Sequence, residues 1–282
     1  MRRQPLSRAL AFSGEVSLEQ SIIWRYLDLA KFIGLIQSNS LFLSRSDMFD
    51  DPFEGTINKP THESFKNEIE NNLQGKSVKA SYVKLNGEWV VFSDNHDVDL
   101  GRSLFSTLKW LKTYTYVNCW HQSEHESEAM WKLYSKNITE SLVVKTSVSR
   151  LEDALPQSLK LDPVAYRNYD SNYVMDNYFL SPFKTKRLAF SHEKEVRIII
   201  QEPPLKDFDS EYKQFDKDLV NNELGKVVQL HGGVQQVIEE IRLSPLASSW
   251  FESLVRDLLV KYQIDIPVNR SEISVKPFEL KS

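Results

Sequence analysis

Glu193, Glu195 and Arg197 sit two positions apart along the run Glu193-Lys194-Glu195-Val196-Arg197-Ile198-Ile199-Ile200. On a strand, residues two apart share a face, so this spacing predicts two carboxylates and a guanidinium projecting together while Val196, Ile198 and Ile200 pack behind them. Paired carboxylates have a defined chemistry: one, ionised, stabilises positive charge building on a sugar carbon, and the other moves a proton. The plain alternative is a half-exposed strand, in which charged and β-branched residues alternate for packing alone. A second acidic group, Asp47, Asp50, Asp51 and Glu54, surrounds Pro52 and Gly55. Four oxygen ligands so close would suit Mg²⁺ in a metal-dependent nuclease. Asp before Pro with Gly following is also ordinary turn chemistry, and we expect Asp47 or Asp51 to cap local backbone N–H groups with no metal bound.

Other groups invite plainer readings. His121 and His125 are four apart, with Cys119, Glu124, Glu126 and Glu128 nearby, but the strand signal through Trp120 delays any helix until after His121, so a shared zinc face is not expected. Cys119 is expected as a buried strand residue and not a nucleophile. Trp24, Tyr26, Trp120, Trp131 and Tyr134 are expected in packing, with a ring-stacking cleft as the functional alternative. Lys184, Lys186, Arg187, His192, Lys194 and Arg197 form a basic run, read as a solvated surface or as a contact for phosphates of a dinucleotide or RNA.

These groups need a frame. The 282 residues, 41% hydrophobic and 11% aromatic, are enough for a full core, and the lack of a Gly/Ser-rich linker predicts a single domain over 1–282, its core spanning roughly 20–275. A strand at Ile22 to Tyr26 feeds a helix capped by Asp28 and stopped by Asn39; Leu41 to Ser44 is a second strand; Thr61 to Leu73 is helical; Asn86-Gly87 marks a hairpin. Further strands are expected at Tyr116 to Trp120, Ser141 to Thr146 and Val196 to Ile200, with a helix capped by Ser149 and a last helix on the stripe Trp250, Leu254, Leu258, Val260. Elements without a regular βαβ period predict an α+β fold, a mixed, largely antiparallel sheet with peripheral helices.

The formal charge of −4 and pI near 5.9 give no global pull toward nucleic acid or anionic membrane. Met1 to Phe12 lacks a leader's apolar core and no stretch suits a membrane span, so with Cys119 as the sole cysteine a cytoplasmic location is expected.

Trp24-Arg25-Tyr26, Asp50-Asp51-Pro52-Phe53-Glu54, Val117-Asn118-Cys119-Trp120-His121, Glu126 to Trp131, His192 to Arg197 and the tail Ser244-Pro245, Trp250-Phe251, Ile266-Pro267-Val268 resemble, in order, the bacterial domain-of-unknown-function family numbered 2971, whose members usually carry Asn at the position of Asp50. The order Arg25, Ser44-Arg45-Ser46, Glu193-x-Glu195 also resembles ADP-ribosyltransferases of the Arg-Ser-Glu type, although Arg25 and Ser44 lie closer together than is usual there. That resemblance implies NAD as co-substrate, Glu195, Glu193 and Arg25 as catalytic residues, and Arg25, Tyr26, Ser44, Ser46 and Arg197 as dinucleotide contacts. It implies an acceptor, protein or nucleic acid, and a bacterial effector role in toxicity or phage defence. A nuclease built on the Asp47–Glu54 turn and a non-catalytic sensor or interaction domain are the alternatives.

Overall fold

The computed structural model describes residues 18–73, 81–93, 100–135, 137–171, 177 and 179–274; Met1 to Phe12, read above for a leader, lies outside them. The chain begins with β1 (Ile22–Asp28) and α1 (Leu29–Ser38). The Asp28 carboxylate accepts from Lys31 N at 2.8 Å, and Asn39 stops the helix with φ 48°, as its sequence predicts. After β2 (Ser40–Arg45) and α2 (Lys59–Leu73) comes the expected hairpin, β3 (Ser81–Leu85) and β4 (Glu88–Ser93), turned by Asn86 and Gly87 at φ 50° and 92°. Next are α3 (Leu100–Leu111), β5 (Thr115–Gln122), α4 (Glu128–Tyr134), β6 (Ser141–Ser147), α5 (Val148–Ala154), β7 (Leu161–Pro163), β8 (Ala165–Arg167) and β9 (Thr185–Arg187). The order ends with β10 (Glu195–Gln201), β11 (Leu205–Asp207), β12 (Lys213–Phe215), β13 (Gly225–Gln229), α6 (Val234–Val237), β14 (Glu240–Leu243), α7 (Ser249–Lys261) and β15 (Val268–Arg270).

Among the described residues the main sheet runs β13-β2-β5-β1-β6-β14-β15, with β10 on β5 and β7 on β10. Only β14 and β15 pair parallel in it. The fold is therefore α+β with a mixed, largely antiparallel sheet and peripheral helices. One edge of β5 is covered by β10, from Thr115 to His121. Its other edge is shared: Val117 lies opposite Ser44 of β2, and His121 opposite Trp24 of β1. The sheet splits between them, and Asn118 Nδ2 and an Arg25 guanidinium nitrogen cross the gap to Phe42 O at 2.9 and 3.4 Å.

One face of the sheet holds the main core, where Ile23, Leu41, Leu43, Trp120, Val196 and Ile198 meet Phe251, Val255 and Leu259 of α7. The buried stripe of α7 is one position off the expected one: Trp250 and Val260 are 62% and 77% exposed, because Phe251, Val255, Leu258 and Leu259 carry the better i, i+4, i+7, i+8 spacing. The cap of α5 is Ser147, whose hydroxyl accepts from Arg150 N, and not Ser149. No helix among the described residues is long and apolar enough to cross a membrane.

Candidate active site

The opposite face of β5 and β10 is polar where β10 begins. Lys194 takes φ 42° and ends a short 3-10 turn over Leu188–Glu193, so Glu193 is not a strand residue as expected. The kink nonetheless folds its carboxylate back beside that of Glu195. Lys186 of β9 puts Nζ 3.0 Å from Glu195 Oε1 and 2.9 Å from Glu54 Oε1, and also bonds Glu193 Oε2. Arg197 places Nε 2.6 Å from Glu195 Oε2 and a terminal nitrogen 2.9 Å from Glu54 Oε2, while its other nitrogen donates to Phe183 O at 2.9 Å. The Tyr134 hydroxyl donates to Glu193 Oε1 at 3.1 Å, the Tyr166 hydroxyl accepts from Glu195 N at 2.8 Å, and His121 Nδ1 sits 2.6 Å from Glu193 O. Glu54, Lys186, Glu193, Glu195 and Arg197 are each at most 5% exposed, which removes the half-exposed-strand reading.

Three carboxylates face two cations here, so charge balance calls for one proton, and it goes to Glu193. Burial, helped by its hydrogen bond to Glu195, pushes the Glu193 carboxyl up to about 7 against the pull of Lys186. Burial would raise Glu195 too, but the Arg197 charge, the hydrogen bond from Glu193 and the Lys186 charge outweigh it and hold Glu195 well below the usual carboxylate range. Burial opposes the charge on Lys186, yet Glu195 and Glu54 keep it firmly protonated. Burial pushes the Tyr134 and Tyr166 phenols up and His121 down.

The other expected site residues are not all brought here. Trp24 lies opposite His121, and His121 opposite Glu195, so Trp24 and Tyr26 share the face of Glu195 and Arg25 points to the other. The Arg25 guanidinium stands 5.8 Å from the Trp120 ring centre, on the core face with Val196, and β5 intervenes between β1 and β10. Burial lowers it to about 10. Arg25 and Glu195, implied together as catalytic residues, therefore lie on opposite faces: matching residue types in order does not set strand parity. Tyr26 accepts from Ser127 N at 2.7 Å and packs edge-on to Trp131. Ser44 is on the right face, but it lies two strands from β10 and opposite Val117, whose partner Ile199 is already four residues, about 13 Å, along β10 from Glu195. Ser46 donates to Lys112 O at 3.0 Å, and Arg197 is spent on Glu195, Glu54 and Phe183.

The acidic turn scatters its carboxylates. Asp47 pairs Arg45 at 2.7 Å, Asp51 pairs Arg187 at 2.9 Å and caps Phe53 N at 3.1 Å, and Glu54 enters the buried cluster. His121 is on β5 whereas His125 lies in the loop beyond, so they share no helical face. Cys119 is half-buried opposite Arg197, its thiol pushed up by burial. The basic run is not a solvated surface: Lys184 pairs Asp162, Lys186 is buried and Arg187 holds Asp51, leaving His192 and Lys194 exposed. Lys186 as a buried partner, Glu54 and the phenols of Tyr134 and Tyr166 were missed by sequence reasoning. For Lys186 the one available signal was its place between the strand-forming Thr185 and Arg187.

No family model and no curated protein matches the chain, so membership of family 2971 stays an expectation. Among solved structures it is similar to DarT of Thermus sp. 2.9 in complex with NAD+, at 10% identity and TM-score 0.38 over 92% of this chain and 98% of that one. It is also similar to that protein in complex with ADP-ribosylated ssDNA, at 10% identity and TM-score 0.37 over 90% and 95%. Likeness at this level assigns neither a fold nor an activity, and the side chains themselves have to carry the functional reading.

Proposed function

We propose that the chain is an NAD-using ADP-ribosyltransferase-like effector, a mono-ADP-ribosyltransferase or NAD glycohydrolase, whose reacting groups are Glu195 and Glu193. The observation that supports it is the divergence of two neighbouring carboxyls, Glu195 held ionised and Glu193 raised to about 7. Two carboxyls driven apart in this way take two different roles. As the glycosidic bond breaks, its electron pair leaves with nicotinamide and positive charge grows on the ribose, where ionised Glu195 stabilises it. The acceptor atom then bonds the vacated ribose carbon and its proton passes to Glu193 in the fraction of molecules in which that carboxyl, raised to about 7, has released its own proton to solvent. Lys186 and Arg197 fix the carboxylates but contact no substrate in this scheme, and Arg25 drops out as a partner of Glu195. Both glutamates are buried, with the Tyr134 phenol on the Glu193 carboxyl and the Tyr166 phenol on the Glu195 backbone, so substrate entry has to open this packing.

The internal ion pairing of Glu54, Glu195, Lys186 and Arg197 supports a second reading, a non-catalytic interaction domain in which the cluster only fastens the acidic turn to β10. Nicotinamide release from NAD by purified protein, with and without cell extract as acceptor, separates the two. Glu195→Gln should lower release on the order of a hundredfold, with dinucleotide binding little changed and the fold checked by thermal melting. Glu193→Gln should impair transfer while sparing hydrolysis. Equal release by wild type and Glu195→Gln removes Glu195 from the chemistry; no release and no dinucleotide binding leaves the interaction domain.

A further inference from the structure

A proton from an acceptor has a destination in Glu193, but a water molecule that attacks the same ribose carbon needs a base of its own. The side chain opposite Glu195 meets that need. His121 is its partner across the β5–β10 ladder. Partners in an antiparallel pair have Cα atoms about 4.5–5.5 Å apart, and their side chains leave the sheet on the same face.

One imidazole nitrogen is already committed. Nδ1 lies 2.6 Å from Glu193 O, a carbonyl that can only accept, so Nδ1 carries the proton and Nε2 the lone pair. Beside it, Gln122 N donates to Lys194 O at 2.9 Å and holds the Leu188–Glu193 turn against β5. Nε2 has no hydrogen bond among the described residues, and it is not one of the sealed polar atoms left without a partner, such as Ser135 Oγ and Gln201 Oε1. Its lone pair is therefore open to solvent although the residue is only 4% exposed. Burial, with the charges of Lys194 and His192 on the turn, holds the ring below the ordinary 6.5 against the opposing pull of the Glu193 carbonyl and Glu195. From β1 the ring meets Trp24, its strand partner, and Tyr26, whose ring centre is 6.4 Å away.

We infer that His121 is the general base of the hydrolytic branch, its Nε2 taking a proton from the water that attacks the ribose carbon. The inference rests on the transferase reading. In this step the bond from the ribose carbon to nicotinamide breaks and its electron pair leaves with nicotinamide. The water oxygen bonds the vacated carbon, and one water proton passes to Nε2, giving a hydroxyl on the ribose and an imidazolium. Ionised Glu195 across the ladder and the Glu193 carbonyl on Nδ1 stabilise that imidazolium until Nε2 returns the proton to solvent. Two bases for two nucleophiles also explain why Glu193→Gln should spare hydrolysis.

Wild type alone gives the first test. With NAD as the only substrate, nicotinamide release by the full chain should rise with pH through a midpoint below 6.5, that of His121, whereas transfer to acceptors in cell extract should rise through about 7, that of Glu193. Coincident profiles overturn the inference. Variants give the second test. His121→Asn keeps an N–H donor where Nδ1 stood, and so keeps the tie to Glu193 O, but supplies no base. Its hydrolysis should fall about a hundredfold and lose the acid limb, while transfer stays within about twofold. Free imidazole should restore hydrolysis in His121→Asn in proportion to its neutral form, which lost packing would not allow. His125→Gln, in the exposed loop beyond β5, should change neither branch. Equal loss of both branches without rescue makes His121 a structural tie and sinks the inference. Should His121→Asn fail to fold, as judged by thermal melting, the two wild-type profiles decide. No release by wild type removes the transferase reading and this inference with it, whereas wild-type release that persists unchanged in His121→Asn removes the inference alone.

Discussion

Two buried acidic clusters in this chain are built from the same residue types and behave differently. At the start of β10, Glu54, Glu193 and Glu195 have two cations between them, and Glu193 and Glu195 diverge in acidity. Where α4 meets β14, the Glu126 side chain is 3% exposed, but besides Arg242 at 3.4 Å it accepts from three neutral donors: Trp131 Nε1 at 2.9 Å, the Ser271 hydroxyl at 2.7 Å and Glu272 N. Arg242 joins it to Glu240 at 2.8 Å and Glu272 at 2.8 Å, and lies 5.2 Å from the Trp24 ring centre. Neutral N–H and O–H donors stabilise a carboxylate without demanding a matching charge. The second cluster therefore ties the C-terminal strand to the sheet, while the first stores a titratable proton.

The largest expected effect that tests this contrast is on stability. Arg197→Met leaves Glu54 and Glu195 buried against Lys186 alone and should cost about 3–5 kcal/mol in urea unfolding. Arg242→Met should cost about 1–2 kcal/mol, because the Glu126 donors remain and Glu272 is 64% exposed. Equal losses would mean that the clusters do not differ in kind.

The pH dependence should separate them next. Glu193 binds its proton more tightly folded than unfolded, so its contribution to stability is complete below pH 4.5 and is lost as the pH rises through about 7. Burial opposes ionisation of Glu240, but hydrogen bonds from Arg242 and Asn269 lower its carboxyl below the ordinary 4.5, so its contribution is present above that pH and lost as the solution is acidified. The urea midpoint of wild type relative to Glu193→Gln should accordingly fall between about pH 4.5 and 7, and relative to Glu240→Gln it should fall only on the acid side. Parallel curves for the two variants would dissolve the distinction.

What could be read in the sequence was local. Asp28 and Asn39 bound α1, and Asn86-Gly87 turns the β3–β4 hairpin, because caps and positive φ angles depend on a few adjacent residues. The joint projection of Glu193, Glu195 and Arg197 was also legible from their spacing, although a left-handed Lys194 and not a continuous strand produces it. Arg25 was misplaced because its face is fixed by the pairing of Trp24 with His121, a tertiary fact. Lys186 and Glu54 were unreadable as partners for the same reason, since β9 and the acidic turn reach β10 only through the fold.

The smallest effect belongs to Tyr134, and its sign is the most telling. Its hydroxyl donates to Glu193 Oε1 at 3.1 Å from a side chain 41% exposed, so Tyr134→Phe should cost stability by no more than about 1 kcal/mol. A donor to a carboxylate favours the ionised form, and its removal should move the Glu193 titration to still higher pH. The loss of stability on the alkaline side would then continue to higher pH, so the variant's deficit relative to wild type should stay constant while Glu193 is protonated in both and grow as the pH rises through about 7, where Glu193 ionises first in wild type. In Tyr134→Phe/Glu193→Gln that shift should vanish, since the group that reports it is gone. An unchanged titration in Tyr134→Phe would mean that burial, Glu195 and Lys186 set the acidity of Glu193 without the phenol, and that the phenol beside it is packing and not a ligand.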